Sequence, residues 1–208
     1  ESKLLAEYII GNKSKEQFAI DFKGRYSENL DIEKDLQRVG VINQTTMLAS
    51  ETQEIADYFK TVMLEKYGAI NIVNHFADNR DTLCYATNEN QDATYGLLET
   101  EADLAIVVGG YNSSNTSHLV ELCERKFHTY FISSEKEITD KNTIHHFDYP
   151  NKKHLTSNRF LPDKTPVRII ITSGASCPDS VIEGVIHKIN SFYTDIKSVE
   201  DVIKLLSN

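Results

Sequence analysis

The chain has 208 residues, 40% of them hydrophobic and 25% charged, which is ordinary globular composition and enough for one large or two small cored domains. Its net charge of −9 excludes a nucleic-acid surface, which needs a basic stripe, but not an anionic small molecule held at a helix N-terminus. No apolar run approaches the roughly 20 residues of a membrane span, so neither nucleic acid nor membrane is expected as a partner.

Residues 1–40 are charged and helical in pattern, with breaks at Gly11 and Gly24. VGVINQTT follows, a short apolar run ending in polar residues. Ser50 with Gln53 then makes a capping box. Ile55, Tyr58, Phe59, Val62, Met63 and Tyr67 recur at helical spacing, and Gly68 is the expected stop. AINIV (69–73) reads as a strand. Cys84 lies in a polar turn before a helix carrying Ala93, Leu97 and Leu98.

LAIVV (104–108) has the pattern of a buried strand, followed by GGYNSSN and a helix through Leu119, Val120, Leu122 and Cys123. TYFI (129–132) reads as a further strand. The stretch 141–164, with His145, His146, Tyr149, Pro150, His154 and Pro162, reads as an irregular connection. VRIIIT (167–172) is another strand, followed by SGAS, Pro178 in a first helical turn, and Val181, Ile182, Val185, Ile186 and Ile189 on one helical face. Strands alternating with helices imply an α/β fold with parallel sheets, and ligands in such sheets bind beyond the C-terminal strand ends.

Three strand ends carry small, hydroxyl or amide residues: Gln44-Thr45-Thr46, Ser113-Ser114-Asn115 and Ser173-Gly174-Ala175-Ser176. Taken singly, capping and turn-making account for each. Three in one chain point to a polar, anion-binding cleft, because such side chains donate hydrogen bonds and the following helix adds positive partial charge. No GxxxxGK(S/T), GxGxxG, GxSxG or HExxH motif is present. Adjacent His145 and His146 do not face one site on regular structure and read as a solvated loop, and His118 reads as a surface or capping residue.

The three cysteines are few, odd in number and widely spaced, unlike a secreted disulfide framework, so a reducing cytoplasm is expected. Cys123 belongs to an apolar helical face and reads as core. Cys177 precedes Pro178 at a helix N-terminus, a position that lowers a thiol pKa, although a small residue in a tight turn explains it as well. Cys84 stays open between packing, nucleophile and metal ligand.

Four segments carry a resemblance: INQTTMLASET (42–52), DTLCYATNENQDA (81–93), VVGGYNSSNTSHL (107–119) and ITSGASCPDSVIEGVI (171–186). Each resembles a motif of the 4-hydroxy-3-methylbut-2-enyl diphosphate reductase family, and they stand in that family's order and spacing. The resemblance runs from about residue 38 to 190, and residues 1–37 fit less distinctively. It implies a reductive dehydroxylation in the non-mevalonate isoprenoid pathway. An allylic diphosphate substrate becomes isopentenyl and dimethylallyl diphosphate, with two electrons from an external donor and a 4Fe-4S cluster whose one iron binds the substrate hydroxyl. It also implies three α/β units around a cleft, each giving one cluster cysteine.

By the same resemblance, Cys84 matches the third cluster ligand. Ser113, Ser114, Asn115 and Ser176 match residues that grip the diphosphate. Thr45 and Thr46 match threonines near the substrate hydroxyl, with Gln44 beside them and Thr45 orienting a proton network. The implied layout is residues 1–80 as the second unit without its N-terminal part, 81–190 as the third, and 191–208 as a C-terminal tail, the N-terminal unit being absent. A cytoplasmic location is implied, or a plastid-type organelle for a eukaryotic parent.

Two positions depart from the family pattern. Asn90 stands where Arg is usual and is expected to touch no residue of the chemistry; Cys177 stands where Thr or Ala is common. Residues 1–40 supply no cysteine and no histidine. The chain therefore resembles the C-terminal half to two-thirds of the enzyme, and alone it is expected to carry no stable cluster and to be inactive. The alternative is a cluster-free diphosphate-binding or regulatory module.

Overall fold

The computed structural model describes residues 1–78 and 83–194. Contacts divide the chain into two compact units, Glu1–Cys84 and Tyr85–Asn208.

The first unit is mainly helical. It holds α1 (Ser2–Ile9), α2 (Lys15–Asp21), the short α3 (Ile32–Asp35), β1 (Val39–Gly40), α4 (Ala49–Tyr67), α5 (Ile72–His75) and β2 (Phe76–Ala77). β1 and β2 pair in parallel, Val39 opposite Phe76. The core forms where Ala6 and Ile9 of α1 meet Phe59, Val62 and Met63 of α4, with Phe76 alongside. Burying each large side chain contributes about 1.5–3 kcal/mol. Gly68 ends α4 at φ +78, in the left-handed region a side chain disfavours.

A smaller aromatic cluster joins α1 to α2: the Tyr8 and Phe18 rings meet edge to face, 5.0 Å apart. The Tyr8 hydroxyl donates to Asp21 Oδ2 at 2.6 Å, Lys13 Nζ donates to the same oxygen at 2.8 Å, and Gln17 Nε2 donates to Oδ1 at 2.9 Å. These donors, Lys13 foremost, hold the Asp21 carboxyl down at about 2. Burial, with Asp21 adding to it, pushes the Tyr8 phenol up to about 12.

Two expectations fail in this unit. The segment AINIV forms a turn leading into α5, and only Phe76 and Ala77 extend. Its apolar residues are not buried as a strand's would be: Ile70 is 92% and Val73 73% exposed. The capping box does not form either. Leu48 occupies the N-cap of α4 without a side-chain cap, which puts Ser50 inside the first turn.

The second unit is built on a parallel sheet. Its elements are α6 (Tyr85–Leu98), β3 (Leu104–Val108), α7 (Ser114–Glu124), β4 (Thr129–Ile132), β5 (Thr143–Asp148), β6 (Lys153–Asn158), β7 (Ile169–Ser173) and α8 (Asp179–Asn190). The sheet order is β4-β3-β7, both pairings parallel. All five residues of central β3 are buried, as its unbroken apolar run requires. Leu104, Ile106 and Val108 pack with Tyr130, Ile132 and Ile144, and with Val185 and Ile189 of α8. The architecture is thus α/β, with small parallel sheets and flanking helices.

The stretch 141–164 is not irregular. β5 and β6 pair antiparallel as a hairpin, Thr143 opposite Asn158 and Asp148 opposite Lys153. His145 and His146 sit within it on opposite faces of the strand. His145 meets the hydroxyls of Thr156 and Thr139, and His146 that of Ser157. Polar alternation of this kind hides a strand from an apolar-run search. Among the described residues no helix is long and apolar enough to cross a membrane.

Candidate anion-binding site at two strand ends

The register of the second unit's sheet places Val108 opposite Ser173. The turns that follow β3 and β7 therefore leave the sheet side by side. Gly174 N donates to Val108 O at 3.2 Å, and Gly109 N donates to Ile132 O at 3.0 Å, so the ladder persists to the mouth of both turns.

After β3 the chain runs through Gly109 and Gly110 to Ser113, the N-cap of α7. Ser113 Oγ accepts from Thr116 N at 3.3 Å, and Ser117 Oγ donates to Ser113 O at 3.0 Å. The first turn of an 11-residue helix opens here, with its partial positive charge and spare N–H groups. After β7, Cys177 N donates to Gly174 O at 2.8 Å, closing a tight turn that leaves Ser176 exposed. α8 then starts behind Pro178, as the sequence indicates.

Asn115 is 4% exposed, yet its Oδ1 and Nδ2 have no hydrogen-bond partner among the described residues, and the same holds for Thr116 Oγ1. Leaving a buried amide or hydroxyl unpaired costs about 1–3 kcal/mol per group. The empty donor, Asn115 Nδ2, at a helix N-terminus suits a ligand carrying oxyanions, while Oδ1 needs a protonated oxygen or a water to donate to it. Neither turn, 109–113 nor 174–178, contains Lys or Arg. Two of the unit's cations stand instead by the N-terminal ends of β3 and β7, already paired: Lys164 with Asp103, and Arg168 with Glu101 at 3.0 Å.

One contributor escaped the sequence reading. α6 buries a polar face: Thr87, Gln91 and Thr94 are at most 1% exposed, whereas Ala93 lies outside. Thr94 Oγ1 meets Thr172 Oγ1 at 3.0 Å, and Asn90 Nδ2 donates to Ser173 O at 2.9 Å. Asn90 thus anchors α6 to the backbone at the end of β7, three residues before Ser176. The signal was present as a polar stripe at i, i+4 and i+7, but an apolar stripe was sought.

Gln44 and Thr45 are exposed and Thr46 half-buried in the first unit, between β1 and α4, where Met47 N donates to Gln44 O at 3.1 Å. Cys84 is exposed and directly precedes α6; Asp81 and Thr82 of its motif, and residues 195–208 of the expected tail, lie outside the described residues. His118 Nδ1 pairs with Glu121 Oε2 at 3.1 Å along the helix, as a surface residue would.

The cysteines were tested as holders of an iron–sulfur cluster. Cys123 is fully buried, and desolvation pushes its thiol up to about 12. Cys177 is half-buried, and desolvation, then Asp179, raises its thiol, reversing the lowering expected at a helix start. Neither offers a thiolate, and no group of three or more His, Cys, Asp or Glu among the described residues is placed to hold a metal. This set does not fit a cluster; Cys84 alone has a suitable, exposed thiol.

A family model described as LytB protein matches residues 7–190. The chain belongs to the LytB family. It is 44% identical over 191 residues to the 4-hydroxy-3-methylbut-2-enyl diphosphate reductase of Crocosphaera subtropica, covering 91% of this chain and 46% of that protein. Identity and coverage are the same against the Prochlorococcus marinus (strain MIT 9211) protein of that name. This LytB-family chain thus spans about half the length of the relatives it matches. Among solved structures, a reductase of this kind from Plasmodium falciparum aligns with a TM-score of 0.48 and 18% identity, over 82% of this chain and 49% of the other.

Proposed function

We propose that this chain forms the C-terminal part of a 4-hydroxy-3-methylbut-2-enyl diphosphate reductase, an oxidoreductase of isoprenoid biosynthesis, and supplies its diphosphate-binding half. The observation that carries the reading is the unpartnered amide of Asn115, held beside two adjacent strand-end turns at the start of α7. Ser113, Ser114, Asn115 and Ser176, with the first-turn N–H groups of α7, grip the diphosphate. A site built this way needs no basic patch, in keeping with the net charge of −9.

Gln44, Thr45 and Thr46 serve the other end of the substrate, where the Thr45 hydroxyl orients a proton at the substrate oxygen. In the whole reductase Cys84 would be this chain's one ligand to a 4Fe-4S cluster, which would pass on electrons from an external donor. The family's usual roles for these residues, and the presence here of four of its motifs in order, support the assignment. The second reading, a cluster-free diphosphate-binding or regulatory module, draws on the burial of Cys123 and the raised thiol of half-buried Cys177 and shares the same anion site.

Calorimetric titration of the chain with inorganic pyrophosphate tests the proposal. Ser113→Ala and Asn115→Ala each remove a hydrogen bond to a charged group, worth about 1.5–3 kcal/mol, so affinity falls roughly 10- to 100-fold. Unchanged affinity in both variants would remove the strand-end site from the account.

A further inference from the structure

Thr116 occupies the space between the two turns. A Cβ added at Gly174 would lie 2.0 Å from Thr116 Oγ1 and 3.2 Å from its Cβ; one added at Gly109 would lie 2.8 Å from Oγ1 and 2.9 Å from Cγ2. Thr116 is 0% exposed, and its β-branched side chain is stiff at χ1, so it has nowhere to swing. Both strand-end turns are therefore shaped against one side chain. Its hydroxyl forms no hydrogen bond among the described residues, so what holds it there is shape, not polarity.

We propose that Thr116 is a positioning residue of the anion site: its side chain is a spacer wedged between Gly109 and Gly174 that sets how far apart the two ligand-binding turns stand. One turn carries Ser113–Asn115 and the other Ser176. Their separation decides whether both reach one diphosphate. This rests on the proposed diphosphate site and adds the residue that sets its width.

The spacer makes a reciprocal demand. Shortening Thr116 opens a gap that the turns collapse into. Adding a methyl at Gly174 drives them apart. Making both changes lets the new methyl fill the space that the threonine vacates, and the spacing returns.

The test is a double-mutant cycle on the 208-residue chain, with Thr116→Ala, Gly174→Ala and the double variant. Pyrophosphate affinity is read by calorimetry and the melting temperature by circular dichroism. Each single change should weaken binding about tenfold or more, and the double variant should recover to within about threefold of the starting chain. The conservative Thr116→Val keeps the shape and should restore affinity to within about twofold while the protein stays folded.

Losses that simply multiply in the double variant, or a folded Thr116→Ala chain that binds normally, overturn the proposal. So does Thr116→Val binding as weakly as Thr116→Ala, since the hydroxyl would then be a ligand contact. Should the unmodified chain bind no pyrophosphate while melting temperatures still show coupling between 116 and 174, the diphosphate site fails and Thr116 is a packing residue only.

Discussion

Asn115 and Cys123 sit on one helix and illustrate two fates of a buried polar atom. Asn115 has both amide atoms buried without a hydrogen-bond partner among the described residues, at the helix start. Cys123 lies two turns further on, behaves as a small hydrophobe, and resists ionisation with its thiol at about 12. The difference is position along the helix, which sequence spacing shows, and burial, which it shows only through neighbouring Leu119 and Leu122. Cys84 is the residue whose meaning changed most. From its surroundings it is an ambiguous thiol; with Cys123 buried and Cys177 half-buried, it is the chain's one exposed thiol. Iron–sulfur cubanes are held by several thiolates. After anaerobic reconstitution, iron and acid-labile sulfide analysis should therefore find no stoichiometric 4Fe-4S cluster on this chain. Four irons and four sulfides retained per chain after desalting would contradict that.

At the scale of elements, the buried strands were legible and the polar ones were not. LAIVV and TYFI fall on β3 and β4 without adjustment, because a strand buried on both faces must be apolar throughout. VRIIIT is displaced to Ile169–Ser173, since pairing with β3 fixes its register. The β5–β6 hairpin was missed, because one of its strands reads KHLTSN and is almost wholly exposed. AINIV misled in the other direction, its apolar residues ending on the surface. α6 was placed correctly but given the wrong face, since it packs through threonine and glutamine. In the first unit, α1 and α2 are clamped by Asp21, and this clamp is sensitive to pH. Its carboxyl titrates at about 2 when folded, below the roughly 3.9 of an unfolded aspartate. The stabilisation is therefore complete above about pH 4 and fades as the pH falls towards 2. Asp21→Asn should lower the melting temperature at pH 6 and lower it far less at pH 2, where the carboxyl is about half protonated. An equal drop at both would show that the charge is not what holds the clamp.

For the whole molecule, charge and fold tell one story. With a net charge of −9, the proposed diphosphate site must confine its attraction to a small region, and the second unit offers a helix N-terminus, hydroxyls and an amide for it. Its Lys164 and Arg168 are spent on Asp103 and Glu101 at the opposite strand ends. Serine- and glycine-rich strand ends point to the proposed site in the sequence. The adjacency of β3 and β7, the empty amide of Asn115 and the spacer between two glycines were not, because each depends on which strands become neighbours. The most direct test is titration of 15N-labelled chain with pyrophosphate, followed by amide chemical shifts. The account predicts saturable shifts at Gly110, Ser113 to Thr116 and Gly174 to Cys177. Shifts centred on Lys164 and Arg168, with those turns silent, would contradict it.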